Sequence, residues 1–102
     1  MKPVYFSAKA EDDLNSICDY IRRDNPTAAA CVRQAVFKAA GNLALHSELG
    51  QALTKPKPRH KGVRMSLVRE HLNYLLIYRV ESHRVLVLRT LHAAQDWTRF
   101  FR

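Results

Sequence analysis

Four of the five histidines, at positions 60, 71, 83 and 92, stand in the half of the chain that also holds most of its Lys and Arg. A general acid or base that works near neutral pH, set beside fixed cations, is the minimal equipment for metal-independent phosphodiester cleavage, where the cations stabilise the phosphorane charge. Lys57, Arg59, Lys61, Arg64 and Arg89 are the candidates for the second role. No compact motif supports this chemistry: there is no GxSxG, no HExxH, no glycine-rich phosphate loop and no paired-carboxylate pattern. His71 and His83 fall in segments that read as turns, and the histidine spacings match no metal site, so each is read first as a solvated surface group. Glu70-His71 is the one adjacent carboxylate and imidazole pair, and neighbours in a turn need not converge in space. The motifs therefore assign no catalytic residue, no metal ligand and no cofactor.

Charge says more than motifs do. Residues 1 to 54 carry six Lys/Arg and six Asp/Glu, and residues 55 to 102 carry eleven and three, so the whole net charge of +8 lies in the second half. That asymmetry predicts a balanced scaffold followed by a cationic working surface for an anionic partner, either nucleic acid or an acidic protein segment. The 102 residues, 47% of them hydrophobic, suit a single domain over 1–102 with one real core. Neither a signal-peptide pattern nor a membrane-length apolar run is present, and a cytoplasmic protein is expected. Cys18 and Cys31 have neither CxxC spacing nor a Cys/His quartet, so they are expected to be reduced core thiols, brought near each other by the hairpin described next.

The elements that must position these groups follow from local rules. Ser7 precedes Leu14, Ile17, Cys18 and Ile21 at helical spacing, with Glu11, Asp12 and Asp13 near the start and Arg22 and Arg23 at the end, which predicts a capped amphipathic helix. Asp24-Asn25-Pro26 then stops and restarts the chain, Asn25 serving as N-cap and Pro26 as first helical residue of a second helix running to His46. So short a connection makes an antiparallel hairpin, and Ala28, Ala29, Ala35, Ala39 and Ala40 permit close approach. The stretch from Leu53 to Gly62, with Pro56, Pro58 and alternating cations, is a connecting loop. Three strand-like runs follow, Val63 to Val68, Leu72 to Val80 and Val85 to Leu91, expected as an antiparallel meander with Val4 to Ser7 as an N-terminal edge strand. The fold class is α+β in the order β-α-α-β-β-β, an antiparallel sheet on a two-helix hairpin with a short tail from Ala93.

In the central run, Leu72, Tyr74, Leu76, Tyr78 and Val80 point one way and Leu75 and Ile77 the other, so both faces are apolar. A helical hairpin covers only one. The other needs a second cover, either the chain's own Trp97, Phe100 and Phe101 or a bound protein.

The ordered succession of local patterns carries a family likeness. The pieces are Ser7-Ala8-Lys9-Ala10-Glu11-Asp12-Asp13-Leu14 with Ile17 and Tyr20-Ile21, Asn25-Pro26 with Ala28-Ala29, Leu49-Gly50, and Gly62-Val63-Arg64. They continue in Asn73-Tyr74-Leu75-Leu76-Ile77-Tyr78-Arg79-Val80 and in Val85 to His92 followed by Ala94 and Asp96. Over nearly its whole length the chain resembles the RelE/ParE superfamily of type II toxins, and within it the ParE-like branch. The resemblance implies a toxin that inhibits DNA gyrase and is neutralised by a ParD-like antitoxin with an acidic C-terminal segment, in a hetero-oligomer, with no membrane and no sequence-specific nucleic-acid binding. The target- or antitoxin-binding residues expected on this chain are Arg64, Arg79 and Arg89 as a cationic sheet face, His92, Asp96 and Trp97 near the mouth of the antitoxin groove and the tail, and Tyr74. For Tyr74 and Tyr78 a core role is the competing reading. RelE-like nucleases place a tyrosine near the last strand, where this chain reads Leu91 to Trp97 without one. The ParE-like His-x-x-Arg-Asp ending here has Gln95 for Arg, and the Gly-Arg after the second helix is Gly50-Gln51. Two readings stand beside gyrase inhibition: a ribosome-dependent endoribonuclease with Arg64, Arg89 and His92 on one phosphate, and a non-toxic antitoxin-binding module.

Overall fold

The computed structural model describes residues 1–53, 57–71 and 73–101, the last two by backbone only. Its elements are β1 (Val4–Phe6), α1 (Ala8–Arg22), α2 (Pro26–Leu45), β2 (Gln51–Ala52), β3 (Val63–Leu67), β4 (Tyr74–Val80) and β5 (Val85–His92), with 3-10 turns at Pro58–His60 and Trp97–Phe101. The expected roles of Leu72 in the second strand run and of Phe100 and Phe101 as sheet cover, with part of the loop at Lys55, lie outside what is described.

Both helices begin as their caps require. Ser7 Oγ accepts from the Ala10 N–H at 3.0 Å and donates to the Leu88 carbonyl at 3.0 Å, so the cap also ties α1 to β5. Asn25 Oδ1 accepts from the Ala28 N–H at 3.0 Å, and Pro26 opens α2 where a missing N–H costs nothing. The buried stripe of α1 is Ala10, Leu14 and Cys18, and that of α2 is Ala29, Val32, Ala35, Val36, Ala40 and Leu43. Cys18 is buried, with its sulfur 3.8 Å from the Ala29 carbonyl, while Cys31 is exposed. The two thiols are not neighbours, because the small residue that meets Cys18 across the hairpin is Ala29.

The sheet has five strands in the order β1-β5-β4-β3-β2. Pairings from β2 to β5 are antiparallel, but β1 runs parallel to β5, with Val4 opposite Val85 and Phe6 opposite Val87. The expected antiparallel meander and N-terminal edge strand form, but the edge pairing is parallel for a topological reason: no hairpin turn joins β1 to its partner, since α1 leaves at once from Ser7. The fifth strand, Gln51–Ala52, is too short to carry a periodic signal. It sits beside Met65 and Arg64.

As the two-sided pattern of β4 predicts, two clusters of apolar side chains form. Leu76, Tyr78, Val85 and Val87 pack against the helices, with Tyr74 and Val80 at the margin. Val63, Leu75, Ile77 and Leu91 form the second cluster, covered by Leu53, Met65, Leu88, Ala93 and Trp97. The chain therefore supplies cover for its own second face, and Trp97 is part of it. One irregularity shapes everything near the C-terminal end of the sheet: Ile77 pairs with Arg89 and Tyr78 with Val87, leaving Leu88 as the extra residue of a bulge.

Candidate interaction surfaces

The three arginines expected on one cationic face are held apart by separate structural partners. Arg64 stands opposite Tyr78 and donates through Nη1 to the carbonyls of Gly50 at 2.8 Å and Glu48 at 3.3 Å, closing the turn between α2 and β2. Arg79 stands opposite Val63 and donates to the Arg59 carbonyl at 3.0 Å, while Glu81 takes Arg84 across the β4–β5 turn. Arg89 forms a two-pronged bond with Asp13 of α1, Nε to Oδ2 at 2.7 Å and Nη2 to Oδ1 at 3.1 Å. Side chains alternate along a strand, so Arg64, opposite helix-side Tyr78, and Arg79, opposite Val63 of the second cluster, lie on different faces, while Arg89 is drawn to Asp13 of α1, and one shared face does not form.

Tyr74 and His92, by contrast, are brought together. They face each other across β4 and β5 with ring centroids 5.5 Å apart and planes at 79°, an edge-on contact. Beside them lies a mainly apolar cleft of 360 Å³ lined by Ser16, Ile17, Tyr20, Tyr74 and His92. His92 Nδ1 accepts from the Ala94 N–H at 3.1 Å, and its own N–H donates to Gln95 Oε1 at 3.2 Å. Gln95 therefore does something the arginine of the family pattern is unable to do, since guanidinium has no acceptor. Asp96 lies beyond this turn and accepts from Thr98, by N–H at 3.2 Å and by hydroxyl at 2.6 Å, starting the last 3-10 turn. Trp97 then packs on the second cluster, on the opposite side of the sheet from the cleft. Asp96 and Trp97 form the base of the tail and do not line the Tyr74–His92 cleft.

Two of these participants were not anticipated in these roles. Tyr20 is 72% exposed although it is aromatic and flanks the cleft. Its signal is the apolar stripe itself: Tyr20 follows Ile17 by three residues and so shares its side of α1. Asp13, first read as an acid complementing the helix N-terminus, lies between Ala10 and Ile17 at helical spacing, and a carboxylate inside an apolar stripe needs a buried partner. The Glu70-His71 pair resolves differently: the Lys38 ammonium, 2.7 Å from Glu70, holds its carboxyl below the usual range, first through the hydrogen bond and then through charge.

A helical hairpin on one face of a mixed sheet, with the first strand parallel to the last and the charge in the sheet half, is the α+β architecture of the RelE/ParE superfamily. The chain belongs to the ParE toxin family of type II toxin-antitoxin (parDE) systems, whose family model matches residues 4–97. Its fold is similar to that of a solved chain from the chromosomal ParDE TA system of P. aeruginosa, with a TM-score of 0.71 and 24% identity, covering 90% of this chain and 96% of that one. No curated protein matched the chain. Among the described residues no helix is long and apolar enough to cross a membrane, and no cluster of three His, Cys, Asp or Glu is placed to hold a metal ion.

Proposed function

We propose that residues 1–102 act as one toxin unit that poisons DNA gyrase in the cytoplasm and is neutralised by a ParD-like antitoxin with an acidic C-terminal segment. The observation that carries this reading over ribosome-dependent RNA cleavage is the dispersal of Arg64, Arg89 and His92. The nuclease reading needs them on one phosphate, yet each is held by a different partner. Family membership over residues 4–97 supports the same choice. Purified protein added to gyrase, relaxed plasmid and ATP should suppress supercoiling and accumulate cleaved DNA. Unaffected supercoiling at excess protein would reject gyrase as target, and mRNA cleavage in a translation extract would restore the nuclease.

For the antitoxin, the cleft beside Tyr74 and His92 is the proposed seat of an apolar anchor. Tyr20 is the best probe because its exposure uncouples binding from folding. Tyr20→Ala should leave the melting temperature nearly unchanged and weaken antitoxin affinity by about 30-fold, or about 2 kcal/mol, the cost of removing an aromatic anchor. Isothermal titration against the antitoxin segment reads this directly, and equal affinities for the two proteins would remove the cleft from the interface.

A further inference from the structure

The structure subtracts charge unevenly from the cationic half. Glu81 is taken by Arg84, Glu70 by Lys38, and Arg89 by Asp13. Among the described residues no carboxylate lies within ion-pair distance of Lys57, Arg59, Lys61 or Arg79. These four are gathered in one place. Arg79 Nη2 donates to the Arg59 carbonyl at 3.0 Å, Arg59 Nε donates to His60 Nε2 at 3.2 Å, and Pro58–His60 forms a single 3-10 turn. Gly62, at φ 83°, then swings the chain into β3, and its carbonyl accepts from the Val80 N–H at 3.1 Å. The cations thus stand on a segment fastened to β4 at two points. His60 reports the local field: burial first, then the charges of Arg59, Arg79 and Lys57, all disfavour its imidazolium.

Gathering like charges without a counter-charge opposes folding, and solubility alone is served equally well by scattered ones. A fixed cationic ridge complements a dense line of anions. Duplex DNA presents one charge per about 1.7 Å of its axis, and guanidinium groups suit phosphate oxygens. We infer that the ridge of Lys57, Arg59, Lys61 and Arg79 binds the phosphate backbone of nucleic acid, independently of base sequence. This goes beyond gyrase poisoning and does not depend on it: the ridge binds nucleic acid whether or not gyrase is the target.

The test is fluorescence anisotropy of the full chain with a duplex of about 20 base pairs and a single-stranded RNA of equal length, at salt from about 50 to 200 mM. Four phosphate contacts predict that affinity for the duplex falls about 150-fold across that range, and that Lys57→Gln/Arg59→Gln/Lys61→Gln reduces the fall to about fourfold. Arg79 is left intact because it fastens the loop. The control Lys9→Gln/Arg23→Gln/Arg69→Gln loses the same charge from exposed positions elsewhere and should keep the wild-type slope. Circular dichroism and melting curves check folding, and Lys61→Gln alone, with a slope shallower by about 0.9, replaces the triple variant should it unfold. Tighter binding of the duplex identifies DNA as the source of the phosphates, and tighter binding of the single strand identifies RNA. A triple variant with the wild-type slope, equal losses in the control, or binding of poly-glutamate without binding of either nucleic acid would each overturn the inference, the last making the ridge a site for an acidic protein segment.

Discussion

Asp13→Ala should lower the unfolding free energy by about 3 to 4 kcal/mol, through loss of a largely buried ion pair together with the hydrogen bonds it organises. The carboxylate accepts three bonds: two from Arg89 and one from the Thr90 N–H at 3.1 Å. Next to it, Thr90 Oγ1 donates to the Ala10 carbonyl at 3.3 Å. These contacts fix α1 on β5 beside the bulge at Leu88. The side chains of Arg89 and Asp13 are 22% and 12% exposed, so water replaces little of what the mutation removes. Deleting the carboxylate removes two bonds from the guanidinium and strands the Thr90 N–H. Arg89→Ala should cost less, because Thr90 keeps its acceptor, and the double variant should cost clearly less than the sum of the two. Urea unfolding with an unchanged m-value measures all three. A loss below about 1 kcal/mol for Asp13→Ala would show that the pair is solvated in solution and that α1 is held by apolar contact alone.

That pair also marks where sequence reading stops. The caps at Ser7 and Asn25, the hairpin around Pro26 and the two apolar sides of β4 are legible because each depends on residues within a turn or two of one another. Asp13 and Arg89 are 76 positions apart, and nothing local couples them. The bulge is equally silent. Strict alternation from Val85 and Val87 carries Arg89 and Leu91 to the helical side, whereas the extra residue at Leu88 sends Leu91 to the second cluster and brings Thr90 under α1. A cationic face built from Arg64, Arg79 and Arg89 is what charge counting suggests. What forms instead is three anchoring arginines, with the uncompensated charge left on the loop before β3. The parallel pairing of β1 escapes for the same reason as the ion pair, since it depends on where a helix returns and not on the three residues of the strand.

Gly50→Ala should be comparably damaging, at about 3 kcal/mol, by overpacking and the loss of two part-buried hydrogen bonds. A Cβ at position 50 would sit 2.5 Å from the Met65 carbonyl oxygen and 2.6 Å from the Tyr78 hydroxyl. Neither neighbour gives way readily: the first is backbone of β3, and the second ends a fully buried ring in the helix-side core. The same residue donates its N–H to Tyr78 Oη at 2.9 Å and offers its carbonyl to Arg64 at 2.8 Å, so a shift away from the clash breaks both bonds. Tyr78→Phe separates the contributions. It removes the hydroxyl and the bond but not the Met65 contact, and should cost about 1 to 2 kcal/mol, while Gly50→Ala in that background should cost less than in the wild type. Alkaline unfolding gives an independent check. Burial pushes the Tyr78 hydroxyl above its ordinary value near 10, against smaller opposing effects of the Gly50 N–H and Arg64. Its contribution is therefore full below about pH 10 and is lost as pH rises through the folded value, a loss that Tyr78→Phe should abolish. The consequence reaches the working surface, because β2 leaves directly from Gly50 to place Leu53 over the second cluster and lead into the cationic loop. Hydrogen exchange in Gly50→Ala should thus rise first at Ala52, Met65 and Val63, and unchanged protection there together with wild-type stability would mean that the turn tolerates a side chain after all.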